Sequence, residues 1–286
     1  MTVSHLDYLT TEPANAAVPL SCLDGRPLPQ DRMYMRNSFS MPDPGTVSGS
    51  IDVIVPGRSP RTLALGDLAP LPRAGVAMVL ECAGNGRSLM TPVPSGVAWG
   101  LGGASPVQVS GVRLRDLIGE LSDEIVDVVF TGADQGEVRP EGAVNYQFSL
   151  DVGLARSPVP LIVTHLDGEP LAHEHGGPVR LVVPGHYAMK SVKWLTRIEA
   201  VTEPFLGHFV NRYRYRGDDE FEAGSPVGRI QVRSVIAQPE HGAELPAGKV
   251  CVRGSAWSGR GALARVELST DAGKTWEEAS LRPGPD

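Results

Sequence analysis

Cys82 lies in "ECAGNGRS", at the end of an apolar run and before a stretch of small residues, an asparagine and Arg87. Gly84 and Gly86 permit a tight turn whose amides can approach a ligand, and Arg87 favours a thiolate. Such a thiolate could act as a nucleophile or as a soft metal ligand. A nucleophile needs a base, and His165, His173, His175, His186 and His208 are all candidates, with no local signature to choose among them. As a metal ligand, one thiolate is too few for a closed zinc site, so a cofactor would have to bring the remaining donors. Taken alone, Cys82 also reads as a small buried side chain, the usual place for a free cysteine.

A second segment carries charge. "HGGPVRLVVPGHYAMKSVKWLTRIEA" joins His175, Arg180, His186, Lys190 and Lys193 to a frame of glycine and proline. Arginine offers paired hydrogen bonds and lysine a point charge, the requirement of an anionic, phosphate-bearing ligand. A solvated strand edge would carry lysines too.

The elements that must position these groups are short. The chain has 286 residues, of which 33 are glycine and 25 proline, and 41% are hydrophobic, enough for a sizeable core. "GVAMVLECAG", "VDVVFTGAD", "PLIVTHLDG", "GPVRLVVPG" and "SVKWLTRIEAVTE" read as strands. In "VRLRDLIGEL", Val112, Leu114, Leu117, Ile118 and Leu121 fall near helical spacing. The expected class is α+β. Arg216 to Arg229, charged and poor in apolar residues, reads as a linker or extended surface loop, which predicts a first domain over residues 1–227 and a second over 228–286. The second alternates short β segments with turns, as a β-sandwich does, and "TDAGKTW" predicts a hairpin with Gly273 at positive φ. It is short against the roughly 100 residues of an immunoglobulin-type sandwich.

Net charge is −7, from 26 basic and 33 acidic residues, which argues against a general nucleic-acid binder, so any anion must meet a local basic pocket. Cys22, Cys82 and Cys251 are far apart and form no CxxC pair, against a disulfide scaffold or structural zinc. No segment reaches the roughly 20 apolar residues of a membrane span, so no membrane association is expected. Nothing in the chain as written directs export, so the expected compartment is the cytoplasm, or the periplasm if a leader has been removed.

Together these segments resemble the sulfite oxidase family of molybdenum cofactor enzymes, in its haem-free bacterial type. "ECAGNGRSLM" is similar to its CAGN-x-R motif, "WGLGGASPVQVSGVRLRDLI" to its W-x-x-GA-x-S segment, "HGGPVRLVVPG" and "VKWL" to its cofactor signatures, and "MYMRNSFSMP" to its V-R-N-H stretch. The resemblance implies a molybdopterin-binding domain followed by an immunoglobulin-like domain, here shortened at its C-terminus. It implies that Cys82 ligates molybdenum beside one pyranopterin dithiolene. Arg36 and Arg87 would line the oxyanion pocket, with Trp99 as its wall and Tyr146 as a hydroxyl donor. Asn37, Ser105, His175, Arg180, Lys190 and Lys193 would contact the pterin and its phosphate.

The implied reaction is two-electron oxidation of sulfite to sulfate. With no haem motif in this chain, electrons would leave to a separate acceptor such as a cytochrome. A homodimer is compatible with the family pattern, although the shortened second domain removes part of its interface. Ser38 replaces a usual histidine and Gly86 a usual arginine, so nitrate, a sulfoxide or a protein-bound sulfane is an alternative substrate. A Cys82-dependent hydrolase is the alternative from a different class.

Overall fold

The computed structural model describes residues 5–215, 217 and 221–282. Strands β1 (Asp7–Thr11) and β2 (Ala14–Ala17) form a hairpin, and β3 (Ile51–Ile54) and β4 (Arg61–Leu63) form another. The long pair β5 (Arg73–Glu81) and β6 (Ala104–Arg113) follows, in register from Arg73 opposite Val112 to Glu81 opposite Ala104. Next come β7 (Asp127–Val138), β8 (Gly142–Asp151), β9 (Leu161–Leu166), β10 (Glu169–Pro170), β11 (Arg180–Val182) and β12 (Leu195–Val201).

Strands β3 to β12 assemble into two five-stranded sheets, and β1 and β2 stay a separate pair. One runs β10-β9-β6-β5 with β11 also on β9, and the other runs β4-β3-β12-β7-β8. Among the described residues only β3 and β12 pair in parallel; the other strand pairs are antiparallel. Sequence pattern explains the core. Val107, Val109 and Gly111 alternate inward along β6, whereas Leu161, Ile162 and Val163 of β9 are all buried, as a central strand covered on both faces requires.

The helices are short: α1 (Leu114–Ile118), α2 (Val152–Arg156) and α3 (His208–Arg212). The helical spacing from Val112 to Leu121 thus overstates α1. Val112 is committed to the β6 ladder opposite Arg73, and Gly119 ends the helix at φ 68°. Leu114, Leu117 and Ile118 do form its buried face. Among the described residues no helix is long and apolar enough to cross a membrane.

The C-terminal part contributes β13 (Arg233–Gln238) paired with β14 (Arg253–Trp257), and β15 (Glu267–Leu268) paired with β16 (Glu277–Glu278). "TDAGKTW" joins the second pair, with Gly273 at φ 85° and the Asp271 carboxylate accepting from the amides of Lys274 and Thr275. In the expected linker, Arg216 and residues 218–220 lie outside the described residues. Its described part folds back onto the protein: Tyr215 stacks on Phe221 at 4.0 Å, Arg214 bridges Pro226, and Arg229 bridges His186. Ile230, Val235 and Trp257 join the same apolar cluster as β6 and β9, which seats the C-terminal part on the sheets.

Gly111 shows why a family-type segment needs a glycine. A Cβ there would lie 1.9 Å from the Ile162 carbonyl oxygen, where β6 and β9 shift register. Gly111→Ala is expected to lower stability by about 3 kcal/mol by urea denaturation, since backbone must move, whereas Gly66→Ala, with open space, stays within about 0.5 kcal/mol.

Candidate functional site

Because β5 and β6 pair up to Glu81 and Ala104, both ends of the segment between them are fixed. The Cys82 amide donates to the Gly103 carbonyl (2.9 Å), and the Asn85 amide closes a turn onto the Cys82 carbonyl (2.9 Å). Gly86 takes φ 83° and donates to the Gly100 carbonyl at 2.7 Å. At Gly84 the Arg87 guanidinium folds over the bare backbone, 2.7 Å from where a Cβ would lie. The Cys82 Sγ accepts from the Gly84 amide at 3.4 Å. Burial pushes the thiol's pKa up, while Arg36, the Gly84 amide and Arg87 pull it down.

The thiol opens on a cavity that Arg36, Asn37, His175, Arg180 and Lys193 also line. Each is positioned by backbone oxygens. The mutual bonds of Ala16 and Met35 hold the 33–38 segment against β2. Buried Asn15 then accepts from the Asn37 amide (2.9 Å) and from Arg36 Nη1 (3.4 Å), and Arg36 Nη1 also donates to the Asn37 carbonyl. Arg180 Nη1 donates to the His175 carbonyl (2.8 Å) and Nη2 to the Ser191 carbonyl (2.9 Å). Lys193 Nζ donates to Asn37 Oδ1 and to the Glu174 carbonyl (3.1 Å), and it sits 4.1 Å from the Trp194 ring centroid.

His175 Nε2 is 2.7 Å from the Gln30 carbonyl, which can only accept, so that nitrogen carries the proton in a neutral ring. Burial, helped by the charges of Lys193 and Arg180, pushes the His175 pKa down to about 3. Burial lowers Arg180 to about 10, and burial followed by repulsion from Arg180 lowers Lys193 well below its ordinary range. Among the described residues none of Arg36, Arg180 and Lys193 has a carboxylate at salt-bridge distance.

The other sequence candidates stand further back. Arg87 is off the cavity lining, its Nη1 donating to the Val97 carbonyl at 2.9 Å. Trp99 is fully buried with its ring edge on Tyr34, and its indole nitrogen has no partner among the described residues. Ser105 Oγ accepts from the Tyr34 amide (2.9 Å) and so supports a lining residue from behind. Lys190 lies 5.0 Å from the Phe148 ring centroid, also off the lining. Tyr146 lines the cavity, but its hydroxyl donates to the Met189 carbonyl at 2.7 Å.

Several lining residues escaped sequence reasoning. Tyr213 reaches the cavity from the segment after α3, and Ser191 from the turn before Lys193. Asp134 is buried with one carboxylate oxygen unpartnered, and burial raises its pKa to about 6 against the pull of Lys193 and Arg36. An acidic residue inside the apolar run "VDVVFTGAD" was its one signal; Tyr213 and the supporting Asn15 had none.

The arrangement suits the cofactor expected from the sequence. A pyranopterin carrying a phosphate is anionic and would neutralise three unpaired cations. The free Asp134 oxygen offers an acceptor for ring N–H groups. One thiolate suffices where dithiolene sulfurs supply the other soft donors. No cluster of three metal-ligating side chains occurs among the described residues, so Cys82 would be the protein's own donor. No histidine hydrogen-bonds the Cys82 sulfur among the described residues, as a cysteine hydrolase would need.

Two family descriptions match the chain: "Oxidoreductase molybdopterin binding domain" over residues 45–209 and "Mo-co oxidoreductase dimerisation domain" over residues 225–286. Mitochondrial sulfite oxidase of Mus musculus is 34% identical over 94% of this chain and 52% of its own length. Sulfite oxidase of Arabidopsis thaliana is 31% identical over 96% of this chain and 75% of its own. The chain therefore spans about half the length of the mitochondrial relatives it matches. Among solved structures, the sulfane dehydrogenase SoxCD from Paracoccus pantotrophus shares the fold, with a TM-score of 0.80 and 23% identity over 96% of this chain and 69% of that one. A paired-sheet scaffold that brings one thiolate and unpaired cations to a single cavity, together with these matches, places the chain in the sulfite oxidase family of molybdopterin-binding oxidoreductases.

Proposed function

We propose that this chain oxidises sulfite to sulfate by oxygen-atom transfer and passes the electrons to a separate acceptor such as a cytochrome. The observation that carries the reading is the set of cations without carboxylate partners around the Cys82 thiol. When bound, the molybdenum–pyranopterin group supplies the transferable oxygen and the two-electron couple; each turnover consumes one water and releases two protons and two electrons. Residues 1–227 would form the cofactor-binding unit and 228–286 the unit through which two copies associate.

In this reading Cys82 binds the metal through its thiolate, and the amide of Gly84 with the charge of Arg36 favours that ionised form. Asn37, His175, Arg180 and Lys193 hold the pterin and its phosphate. Asp134 accepts from the pterin's N–H groups. Arg36 spends Nη1 on Asn37 and Asn15, which leaves Nε and Nη2 to orient a dianionic substrate. Tyr213, whose hydroxyl takes part in no hydrogen bond among the described residues, supplies a donor to a substrate oxygen, whereas the proton of Tyr146 is already engaged by Met189. Arg87, Trp99, Ser105 and Lys190 shape the walls from behind.

Cys82→Ser replaces a soft donor with a hard one, so bound molybdenum per chain is expected to fall at least about tenfold by elemental analysis, together with sulfite oxidation by an artificial acceptor. Full molybdenum content in that variant sinks the assignment. Loss of a charged hydrogen bond of about 1.5–3 kcal/mol predicts that Arg36→Gln raises the KM for sulfite by roughly ten- to a hundredfold, with a smaller rise for Arg87→Gln. Equal effects in steady-state kinetics would place both guanidinium groups on the substrate.

His175 gives a pH test on the cofactor-free chain. Its pKa falls from 6.5 to about 3 on folding, so between these values the unfolded chain binds more protons and stability drops as pH is lowered. His175→Gln is expected to flatten that drop in urea denaturation midpoints measured from pH 7 to pH 4.

A further inference from the structure

The residue before the thiol is a fully buried carboxylate, and its partners come from the other end of the chain. Glu81 Oε1 accepts from Asn85 Nδ2 (3.0 Å) and faces Arg233 Nε (3.0 Å), while Oε2 accepts from Trp257 Nε1 at 2.7 Å. Arg233 opens β13 and Trp257 closes β14, and the two stand directly opposite each other in register. One strand pair therefore presents both donors to one carboxylate. Asn85 extends the contact across the turn by accepting from the Gly103 amide (3.0 Å), the residue whose carbonyl holds the Cys82 amide.

Gly86 completes the fit. Gly86 takes φ 83°, and a Cβ at this position would lie 2.9 Å from Arg233 Nη1, so the guanidinium rests directly against the glycine backbone. The C-terminal pair thus touches the turn on both sides of Cys82, at Glu81 and at Gly86. None of Glu81, Asn85, Arg233 and Trp257 lines the cavity.

We propose that the β13–β14 pair clamps the Cys82 turn, with Glu81, Arg233 and Trp257 as positioning residues for the sulfur. The C-terminal part then has a role within its own chain besides any association of copies: its docking decides how firmly the thiol is held. A buried carboxylate makes the clamp discriminating, because removal of either donor leaves charge or lone pairs unsatisfied beside the turn. The consequence for the metal rests on Cys82 being its ligand; the mechanical claim does not.

The test is the alkylation of Cys82 by iodoacetamide in the full, cofactor-free chain, followed by peptide mass mapping so that Cys22 and Cys251 are read separately. Trp257→Phe and Arg233→Met keep most of the packing and remove the donors. Each is expected to raise the Cys82 rate about tenfold, the scale of one lost hydrogen bond expressed as local opening, with Cys22 unchanged. Val235→Ala, a buried β13 position that supplies no hydrogen bond to Glu81, is the control for simple destabilisation. At a matched loss of thermal midpoint it is expected to leave the Cys82 rate within about twofold of wild type. Wild-type Cys82 rates in both donor variants, or an equal rise in Val235→Ala, overturn the clamp. Should the rates shift as expected while Cys82→Ser keeps full molybdenum, the clamp stands and the ligand assignment fails.

Discussion

Like charges without counterions repel, and this constraint governs the cavity. Arg36, Arg180 and Lys193 converge with no carboxylate at salt-bridge distance among the described residues; burial lowers the pKa of Arg180, and burial with repulsion from Arg180 and Arg36 lowers that of Lys193 against the pull of Asp134. Holding them together requires a scaffold rigid enough to resist separation, and the fold supplies it mostly from main-chain oxygens. The carbonyls of His175, Ser191, Glu174 and Asn37 satisfy the donors without cancelling their charge. A carboxylate in the same positions would neutralise the field that an anionic ligand needs.

That choice explains where the site sits. Many of its residues come from segments at or beyond strand ends, where carbonyls are free to accept: the stretch after β2, the turn after β5, and Arg180 at the start of β11 with the loops that flank it, while Asp134 and Tyr146 belong to β7 and β8. The paired sheets fix the ends of these segments, and short-range bonds fix their course. Asn15 ties the Arg36–Asn37 pair to the first hairpin, and Ser191 accepts the Val183 amide beside the Arg180 anchor. Glu81 is the exception among the supports. It is a buried acid next to the thiol, kept off the cavity and offset by Arg233 and Trp257, so its charge holds the turn without meeting the cations.

Much of this was legible in the sequence wherever the information is local. The inward alternation around Val107 and Val109 of β6, the apolar run of β9 and the turn around Gly273 follow from side-chain periodicity and backbone freedom. The helical spacing around Leu117 was right in its buried face and wrong in its length, because a strand ladder outcompeted the helix at Val112. The segments holding Cys82, His175, Arg180 and Lys193 stood out by residue type, but Cys82 alone also read as a buried side chain and the lysines as a solvated strand edge; their cofactor roles came from resemblance to the family's motifs.

What the sequence by itself determined is therefore the inventory: the soft donor, the cations and the strand pattern that flanks them. Tertiary structure alone decided which of them meet. Folding turned Arg87 to the Val97 carbonyl, engaged the Tyr146 hydroxyl with Met189, brought Asp134 and Tyr213 to the cavity, and carried Trp257 across 176 positions to Glu81. The physical reason is that hydrogen bonds and charge pairing depend on distances of a few ångströms between groups far apart along the chain. No local periodicity encodes those distances; they exist once the two sheets and the C-terminal pair have packed.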